Sequence, residues 1–506
     1  MTSEKHIWKT AAVIPALMLL AGCEIAAPAT DTETVLPSAF ESAPAGTAAD
    51  RGSLARFWTM WHDPVLSSLI EESLKGNYSL KAAEEKIAKA KAQLGYRRSD
   101  QGASAGVGGQ LGGGYGKAEN SYIDNLRFPG ISIDDDGRAV GVANVGALLS
   151  WEADIAGKKR SLTEAAERSL QAAGYERHTG EILVASSVAD NYFRLLGKRS
   201  ESKLIEKEIA NYKELLRYTE GRFNAGQASA YEVLEVKNKI KSLEAELSTK
   251  KSDMLHHARA IAVLMGRTPE GFTDESIKGE LPGKVPAVPA GVMPSDLLTM
   301  RPDLLARKSA IDARAAMVKA AKADLYPRFG ISFLGSLGHI EIDSDIDHVN
   351  GGAGLLSLDL YVPVFTNGRT EANIKIKEAE LRTELRDYDN TLINALYEVD
   401  DAYSQCSALE KQERKLKEGE RNSTELTRSA EKLFNNDAAT FDRIVRARDQ
   451  TYSFRKAIIQ NELGRHLSLI YLAKSLGGGW KAGSGKSGRL TQCSGSPGER
   501  RAPAHQ

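Results

Sequence analysis

Two long stretches without proline, at about 161–220 and 370–434, constrain the fold of this chain more than any other feature of its sequence. In the second stretch, apolar residues recur at spacings of four and three and form one stripe along a helix. The stripe consists of Leu381, Leu385, Tyr388, Leu392, Leu396, Val399 and Tyr403. A helix of about 60 residues is roughly 90 Å long, far longer than the helices of globular domains. The sequence therefore predicts either a long coiled coil or an elongated helical wall.

Two copies of one unit follow each other along the chain. Several short motifs recur 211 residues further on, and one motif near the start recurs after 224 residues. The matched residues are Tyr192 with Tyr403, Gly157 with Gly368 and Phe223 with Phe434 at the first separation, and Leu80 with Leu304 at the second. Because the separations differ by 13 residues, we expect an insertion in the first copy between its opening helix and residue 157. We therefore predict a tandem duplication, with repeats at 51–270 and 271–480.

Each copy also contains residues that alternate with a period of two, which is typical of β-strands. The apolar members are Val145, Ala147, Leu149 and Trp151 in the first copy, and Phe329, Ile331, Phe333, Leu356, Leu358, Leu360 and Val362 in the second. Strands of about ten residues can cross an outer membrane when they are tilted. Four strands cannot close a barrel around a channel, so several chains would have to share one barrel. Two hairpins of a small soluble sheet are the alternative.

The predicted elements have the same order in both copies: a short helix, a hairpin and two long helices. The Gly- and Asp-rich segments 112–138 and 338–352 are predicted to be loops. We expect hairpins at about 102–154 and about 328–364, and long helices at about 158–265 and about 368–476.

The N-terminus has the pattern of a bacterial lipoprotein signal. An apolar run at 11–20 is too short to span a bilayer. The motif Leu20-Ala21-Gly22-Cys23 then resembles a lipobox, which implies cleavage before Cys23 and acylation of that residue. By the same resemblance, Glu24 in place of an aspartate favours the outer membrane. We expect a signal peptide at 1–22, a lipidated tether at 23–50 and a disordered tail at 481–506.

The composition argues against several other classes of protein. The chain has 67 basic and 67 acidic residues, so it lacks the basic excess of nucleic-acid-binding proteins. Its mean hydropathy of −0.35 argues against a bundle of transmembrane helices. Neither the three cysteines nor the adjacent His256 and His257 have the spacing of a metal site. Gly483-Ser484-Gly485-Lys486-Ser487 lacks the first glycine of a P-loop, and no catalytic triad stands out. We therefore expect no enzyme, cofactor or metal site.

The lipobox, the duplication and the order of the elements together resemble the outer-membrane factor family, which includes TolC-like and OprM-like proteins and the NodT-type lipoproteins. The resemblance covers about residues 15–480. The short motifs that carry it are Trp61-His62-Asp63-Pro64, Trp151-Glu152-Ala153-Asp154, Arg301-Pro302-Asp303-Leu304, Leu325-Tyr326-Pro327 and Val362-Pro363-Val364-Phe365.

This resemblance implies a mixed α and β membrane protein in which three chains each supply four strands to one twelve-stranded transmembrane β-barrel. The long helices would continue the barrel as a periplasmic α-barrel. Such a homotrimer is the passive exit duct of a tripartite efflux system, lipid-anchored in the bacterial outer membrane and docked to a periplasmic adaptor and an inner-membrane transporter of the RND type. A type I-like secretion duct for protein or polysaccharide and a coiled-coil lipoprotein without a pore are the alternatives.

The resemblance also assigns the helix-to-helix turns, at 222–228 and 433–439, to the periplasmic mouth. The implied adaptor-docking residues are Arg222, Phe223, Asn224, Gly226, Phe434, Asn435 and Asn436.

In the family, a pair of acidic residues often follows each turn and narrows the pore. Here the first copy has Glu232 and Glu235, but the second has Arg443 and Arg446 at those places. We hypothesise that these glutamates and arginines pair across neighbouring helices and hold the mouth closed; solvated charges on a helix surface are the alternative. The further gate candidates are Asp437 and Asp442.

Overall fold

The computed structural model describes residues 25–44, 54–116, 138–342, 349–436 and 438–480. Most of these residues are helical, and one four-stranded sheet lies among them. The strands are β1 (Ser104–Gly116), β2 (Arg138–Ala153), β3 (Arg328–Ile342) and β4 (Val349–Tyr361). The helices are α1 (Pro64–Gly76), α2 (Tyr78–Ser99), α3 (Lys158–Asn224), α4 (Ala230–Leu264), α5 (Leu297–Met300), α6 (Pro302–Lys322), α7 (Arg369–Asn435) and α8 (Phe441–Ser475).

The long helices repeat with the separation found in the sequence. Helices α3 and α7 each have 67 residues, and α4 and α8 each have 35. Gly157 and Gly368 precede α3 and α7 with φ angles of 74° and 76°, in the left-handed region that glycine adopts without strain. The two copies therefore begin their long helices with the same backbone turn.

The ends of α4 and α8 also match. Gly266 and Gly477 follow these helices in the left-handed conformation, with φ angles of 74° and 77°. A Cβ atom on Gly266 would overlap the carbonyl oxygen of Gly76, and one on Gly477 would overlap that of Met300. Both positions thus require glycine, because each lies too close for a side chain to the backbone that precedes the second helix of its own repeat, α2 for Gly266 and α6 for Gly477.

The sheet has the order β1-β2-β3-β4, and all neighbouring strands are antiparallel. Ser104 pairs with Ser150, and their counterparts Arg328 and Tyr361 pair with each other. The two hairpins therefore have the same register, and the 13-residue insertion lies in the β1–β2 connection.

The strands are longer than the sequence patterns predict. The predicted loops at 112–138 and 338–352 were wrong at their ends, because β1 continues to Gly116 and β3 to Ile342. Antiparallel backbone pairing continues along these strand ends, from Gly112 to Gly116 and from Gly338 to Ile342.

Two hydrophobic clusters lie where the short helices meet the middle of the long ones, and another lies between α3, α4, α7 and α8 towards their tips. Helix α6 packs between α3 and α7, whereas α2 packs against α3. His466 on α8 is fully buried beside Phe193, with ring centroids 4.7 Å apart. The Trp61 Nε1–H group donates to His466 Nδ1 at 2.9 Å, which joins the start of the first repeat to the end of the second.

An N-terminal segment, residues 25–44, runs along α7 of the second repeat. The Thr34 hydroxyl donates to Asp389 at 2.9 Å, and the Ser42 backbone N–H donates to Asp400 at 2.9 Å. Phe40 is buried against Tyr403, with ring centroids 6.2 Å apart. This segment holds the start of the described chain against the long helices.

Candidate functional site

The sheet has one apolar face although that face is exposed in the single chain. Directly paired residues in a sheet share a face, so the register assigns Leu149, Phe333 and Leu356 to the same side. The other large apolar residues of that side are Val107, Leu111, Val145, Trp151, Phe329, Ile331, Leu337, Leu358 and Leu360, all of them exposed. A contiguous apolar surface of this size indicates contact with lipid or protein.

The opposite face carries mostly small and polar residues, together with one row of exposed leucines, Leu148, Leu334 and Leu355, which lie directly opposite one another. The Ser332 hydroxyl donates to Asp359 at 2.9 Å, and the Ser104 and Ser150 hydroxyls lie 2.8 Å apart. Where the strands meet the long helices, this face contains a cavity of about 640 Å³. Its charged lining residues are Asp100, Glu152, Lys159, Arg328, Asp359 and Arg369. Apart from this leucine row, the sheet is suited to water on one side and an apolar medium on the other.

Both edges of the sheet are open. Among the described residues, β1 and β4 each pair with one strand, so one side of each has backbone N–H and C=O groups without a strand partner. Exposed strand edges readily pair with another chain. None of the helices in the described ranges is both long and apolar enough to cross a membrane.

The α3–α4 turn forms the first helical tip. Gly226 adopts a φ angle of 72°, and the Gln227 backbone N–H donates to the Arg222 carbonyl at 2.8 Å. Ser229 caps α4, and the Glu232 carboxylate accepts a hydrogen bond from the Ser229 backbone N–H at 3.1 Å. The gate candidate Glu232 is therefore already engaged in capping its own helix. Asn224, another predicted tip residue, ends α3.

The α7–α8 turn forms the second tip, beside the first. Asn435 ends α7, Asn436 follows it, and Asp437 lies outside the described residues. Phe434 is buried and packs near Phe441, with ring centroids 5.9 Å apart, whereas its counterpart Phe223 is 44% exposed.

Phe434 also joins the second tip to the first. The Arg222 guanidinium lies 4.9 Å from the centroid of the Phe434 ring. The ring of Tyr218, one turn before Arg222, lies 6.0 Å from that of Phe434. The two tips therefore contact each other within one chain.

The proposed charge pairs of the mouth do not form within the described part of the single chain. Arg446 instead pairs with Asp442 on its own helix at 2.7 Å, and its side chain is 80% exposed. Arg443 is exposed, and Glu235 is half-buried. The hypothesis of pairing across neighbouring helices therefore concerns contacts with another chain. The predicted lipidation residue, Cys23, lies outside the described residues.

A polar network between α3, α4 and α8 was missed by the sequence analysis. The fully buried Tyr212 donates to Asp449 at 2.8 Å, and Lys239 pairs with the same carboxylate at 2.8 Å. Burial raises the pKa of Tyr212, and the bond to Asp449 adds to this effect. Nearby, Lys456 pairs with Glu246 at 2.6 Å. These partners are more than 200 residues apart and follow neither repeat separation, so no pattern in the sequence signals them.

The described ranges contain no cluster of three or more side chains that could hold a metal ion. His257 Nδ1 lies 3.0 Å from Asn191 Oδ1 on α3, so this ring is engaged between two helices. The described residues thus form a sheet with two different faces, which is continued by long helices, and these helices end in two tips that contact each other.

Comparison with known proteins agrees with this architecture. The family model described as "outer membrane efflux protein" matches residues 69–267 and 293–478. The pyoverdine export outer membrane protein OpmQ of Pseudomonas aeruginosa is 26% identical over 94% of this chain and 98% of its own length. The cation efflux system protein CusC of Escherichia coli is 24% identical over 92% of this chain and 97% of its own length. The Campylobacter jejuni CmeC outer membrane channel has the same fold, with a TM-score of 0.79 at 19% identity over 92% of this chain and 96% of its own length.

Proposed function

Because the chain belongs to the outer membrane efflux protein family, we propose that three copies of it form the passive exit duct of a tripartite efflux pump. The observation that carries the proposal is the four-stranded sheet with one exposed apolar face and two open edges. Twelve strands from three chains would close such sheets into a barrel, with apolar residues towards lipid and small or polar residues towards water. Helices of 67 residues would continue the duct for roughly 100 Å.

We propose that Cys23 anchors the assembly in the outer membrane. Glu33 bonds to Arg386 on α7, which lies 17 residues from the start of that helix at Arg369, or about 26 Å along its axis. The ten residues from Cys23 to Glu33 can span up to about 33 Å when extended. The anchor could therefore reach the level at which the long helices meet the sheet.

The tips would form the periplasmic mouth and dock an adaptor protein, which couples the duct to an inner-membrane transporter. The exposure of Phe223 and of the turn residues Asn224, Gly226, Asn435 and Asn436 supports this part of the proposal. In an assembly, Glu232 and Glu235 of one chain would face Arg443 and Arg446 of its neighbour and hold the mouth closed. The transported substrate would be a small molecule, a proposal supported by the names of two relatives, since OpmQ is named for the export of pyoverdine and CusC for the efflux of a cation.

Deletion of the gene in the source bacterium tests the efflux function. We expect the mutant to accumulate at least one of a panel of cationic dyes, detergents, divalent metal ions and siderophores, and we expect the wild-type gene to restore export. A chain lacking 222–228 should reach the outer membrane but fail to restore export, because the docking tip is missing. Normal export of the whole panel together with the loss of a secreted protein would contradict efflux and favour a secretion duct.

A further inference from the structure

On the premise that the chain forms the proposed exit duct, we propose that the leucine row, Leu148, Leu334 and Leu355, is a contact site for the apolar group of a transported molecule. The row lies on the face of the sheet that lines the duct in that assembly. The site favours small molecules that carry an aromatic or aliphatic group beside hydrogen-bonding groups, and it offers nothing to a hydrated ion. The leucine row thus sets the chemical class of substrate that the duct accepts most readily.

The leucine row crosses three neighbouring strands at one level of the sheet. Leu148 on β2 pairs directly with Leu334 on β3, and Leu334 pairs with Leu355 on β4. These residues are 51%, 50% and 61% exposed in the single chain. Three strands cover two strand spacings, or about 10 Å, so the leucines form one continuous apolar strip.

The rows on either side of the leucines consist of small residues on the same face. Two residues along each strand towards the helices, the row is Ser104, Ser150, Ser332 and Ser357. Two residues in the other direction, the row is Gly108, Gly146, Ser336 and Ala353. Each of these rows lies about 7 Å from the leucines along the strands. The leucines therefore project beyond their neighbours as a ridge one side chain high.

Hydrogen-bonding groups border the ridge on the side of the helices. The Ser332 hydroxyl donates to Asp359 at 2.9 Å, so its oxygen can still accept a hydrogen bond. Ser104, Ser150 and Ser332 also line the cavity of about 640 Å³ where the strands meet the long helices. A molecule whose apolar group rests on the leucines therefore has hydroxyl groups and an open polar cavity beside it.

The size of the leucine row argues for a small molecule as its partner. A stable protein interface needs about 800 Å² on each side, far more than three half-exposed leucines between polar rows provide. Lipid chains need a broad apolar surface, and the opposite face of the sheet, with Leu149, Phe333 and Leu356, provides one. An aromatic group of one or two rings matches a strip about 10 Å long and one side chain high.

Contact with this strip is weak and reversible, as conduction requires. The ridge is not enclosed, so a bound apolar group loses only part of its contact with water. A duct needs binding that is favourable enough for entry and weak enough for release. Because the strands of a barrel are tilted, three chains offer three separate strips that run obliquely along the wall.

Protection of a reporter cysteine tests the site in the full-length protein in lipid nanodiscs. Ser336→Cys places a thiol on the same face, about 7 Å from Leu334 along β3. The rate of its reaction with N-ethylmaleimide, a small uncharged reagent, is measured with and without tetraphenylphosphonium, and the signal of the protein without the reporter is subtracted. We expect tetraphenylphosphonium to slow the reaction, and tetramethylammonium, which has the same charge but no rings, to leave it unchanged.

Changes in the row itself provide the matched variants. Serine at all three leucine positions should raise the tetraphenylphosphonium concentration for half-protection at least about tenfold, because the apolar contact is lost. Methionine at the same three positions keeps an apolar side chain and should change this concentration less than about twofold.

Gly106→Leu makes the opposite change. Gly106 pairs with Leu148 and continues the row on β1, and a Cβ atom there would meet no atom within 4 Å. This variant lengthens the strip, so it should lower the concentration for half-protection about threefold. It decides the question even if the triple serine variant fails to assemble.

The mass of each sample separates the failure of this site from the failure of the duct. A trimer whose reporter does not react, or reacts equally with and without tetraphenylphosphonium, would overturn the site and leave the duct intact. Equal protection by tetramethylammonium, or the same protection in the leucine and serine proteins, would also overturn the site alone. A monomeric wild-type protein would overturn the duct and the site with it.

Discussion

Helices α2 and α6 hold equivalent places in the two repeats, yet they differ greatly in burial. Helix α2 has 22 residues, of which only Leu80, Ala90 and Leu94 are buried. Helix α6 has 21 residues and packs on two sides, against α3 and α7. Its buried residues are Pro302, Leu304, Ala306, Ser309, Ile311, Ala313, Ala315, Ala316, Val318, Ala320 and Ala321. In the proposed assembly, the exposed side of α2 would meet a neighbouring chain, as α6 meets α7 within the chain.

The residues on that side also show how the two contacts differ. Ala313 and Ala320 on α6 are replaced by Lys89 and Tyr96 on α2. Small residues let α6 approach its neighbours closely, whereas lysine and tyrosine require a wider and wetter contact. A contact between chains that is more polar than a domain core fits these replacements.

The largest effect that we expect comes from an arginine at equivalent positions of α6 and α2. On α6 it should prevent folding, whereas on α2 it should prevent only the assembly of folded chains. Ala316→Arg places a charge at a site that is 1% exposed, so we expect a loss of more than about 4 kcal/mol and little folded protein. Ala92→Arg, at the matching exposed site on α2, should leave the chain folded but prevent trimer formation. Circular dichroism and native mass measurements distinguish the two results. The small replacements Ala316→Ser and Ala92→Ser are the controls, and an Ala92→Arg trimer as stable as wild type would contradict the comparison.

Phe434 and Phe223 hold equivalent places at the two tips and should also differ in their contribution to stability. Phe434 is buried among Tyr218, Phe441 and Arg222, so Phe434→Ala should destabilise the tip by about 3 kcal/mol. Phe223→Ala should cost the chain less than about 1 kcal/mol but weaken adaptor binding or assembly. Thermal unfolding and hydrogen exchange of the tip amides measure both changes. Equal losses for the two variants would show that the repeats do not differ in this way.

The buried His466 should make the protein sensitive to acid, whereas its counterpart in the first repeat is Leu255. Burial lowers the pKa of His466 to about 4, and Arg465 adds to the effect. The unfolded chain binds a proton near pH 6.5, so this contribution to stability is complete above pH 6.5 and falls as the pH drops towards 4. We expect a loss of about 2 kcal/mol at pH 5.

The control is His466→Leu, which places at this position the leucine found at the equivalent position of the first repeat, Leu255. This variant should be less stable at pH 8 by about 1–3 kcal/mol, because Trp61 Nε1–H and the Pro282 carbonyl lose their partner. Its stability should nevertheless vary less than that of the wild type between pH 6.5 and 4. Parallel pH profiles for the two proteins would contradict a neutral His466.

The charges that follow the tips should have the smallest effect on stability and a clear effect on conductance. Arg446 and Asp442 form an exposed pair, so Arg443→Ala with Arg446→Ala should change the free energy of unfolding by less than about 0.5 kcal/mol. Loss of the proposed pairs with Glu232 and Glu235 should raise the single-channel conductance. A conductance identical to that of the wild type would exclude a latch at this position.

The sequence predicted those helices and strands whose apolar residues recur with a regular spacing. The stripe from Leu381 to Tyr403 predicted the long helix α7, and the alternation at Phe329, Ile331 and Phe333 predicted β3. The family and its location in the outer membrane were confirmed by the comparisons. Strand length was underestimated, because the glycines at 112–116 carry no apolar period although their backbone pairs fully.

Contacts between residues far apart in the chain could not be predicted from the sequence. Nothing in the pattern relates Tyr212 to Asp449, because their contact depends on how α3 crosses α8. Ser229 and Glu232 do have the spacing of a capping box. This role at the start of α4 accounts for a glutamate at position 232 without any role in a gate. The roles of the other gate and docking residues stay predictions, since they concern contacts with other chains.

Planar-bilayer conductance of the purified full-length protein, with its mass determined on the same sample, tests the central claim most directly. The account predicts a trimer with discrete channel openings, larger in the Arg443→Ala, Arg446→Ala variant than in the wild type. A monomer or dimer without conductance in either protein, over a range of voltages and salt concentrations, would contradict the assembly of the two repeats into a duct.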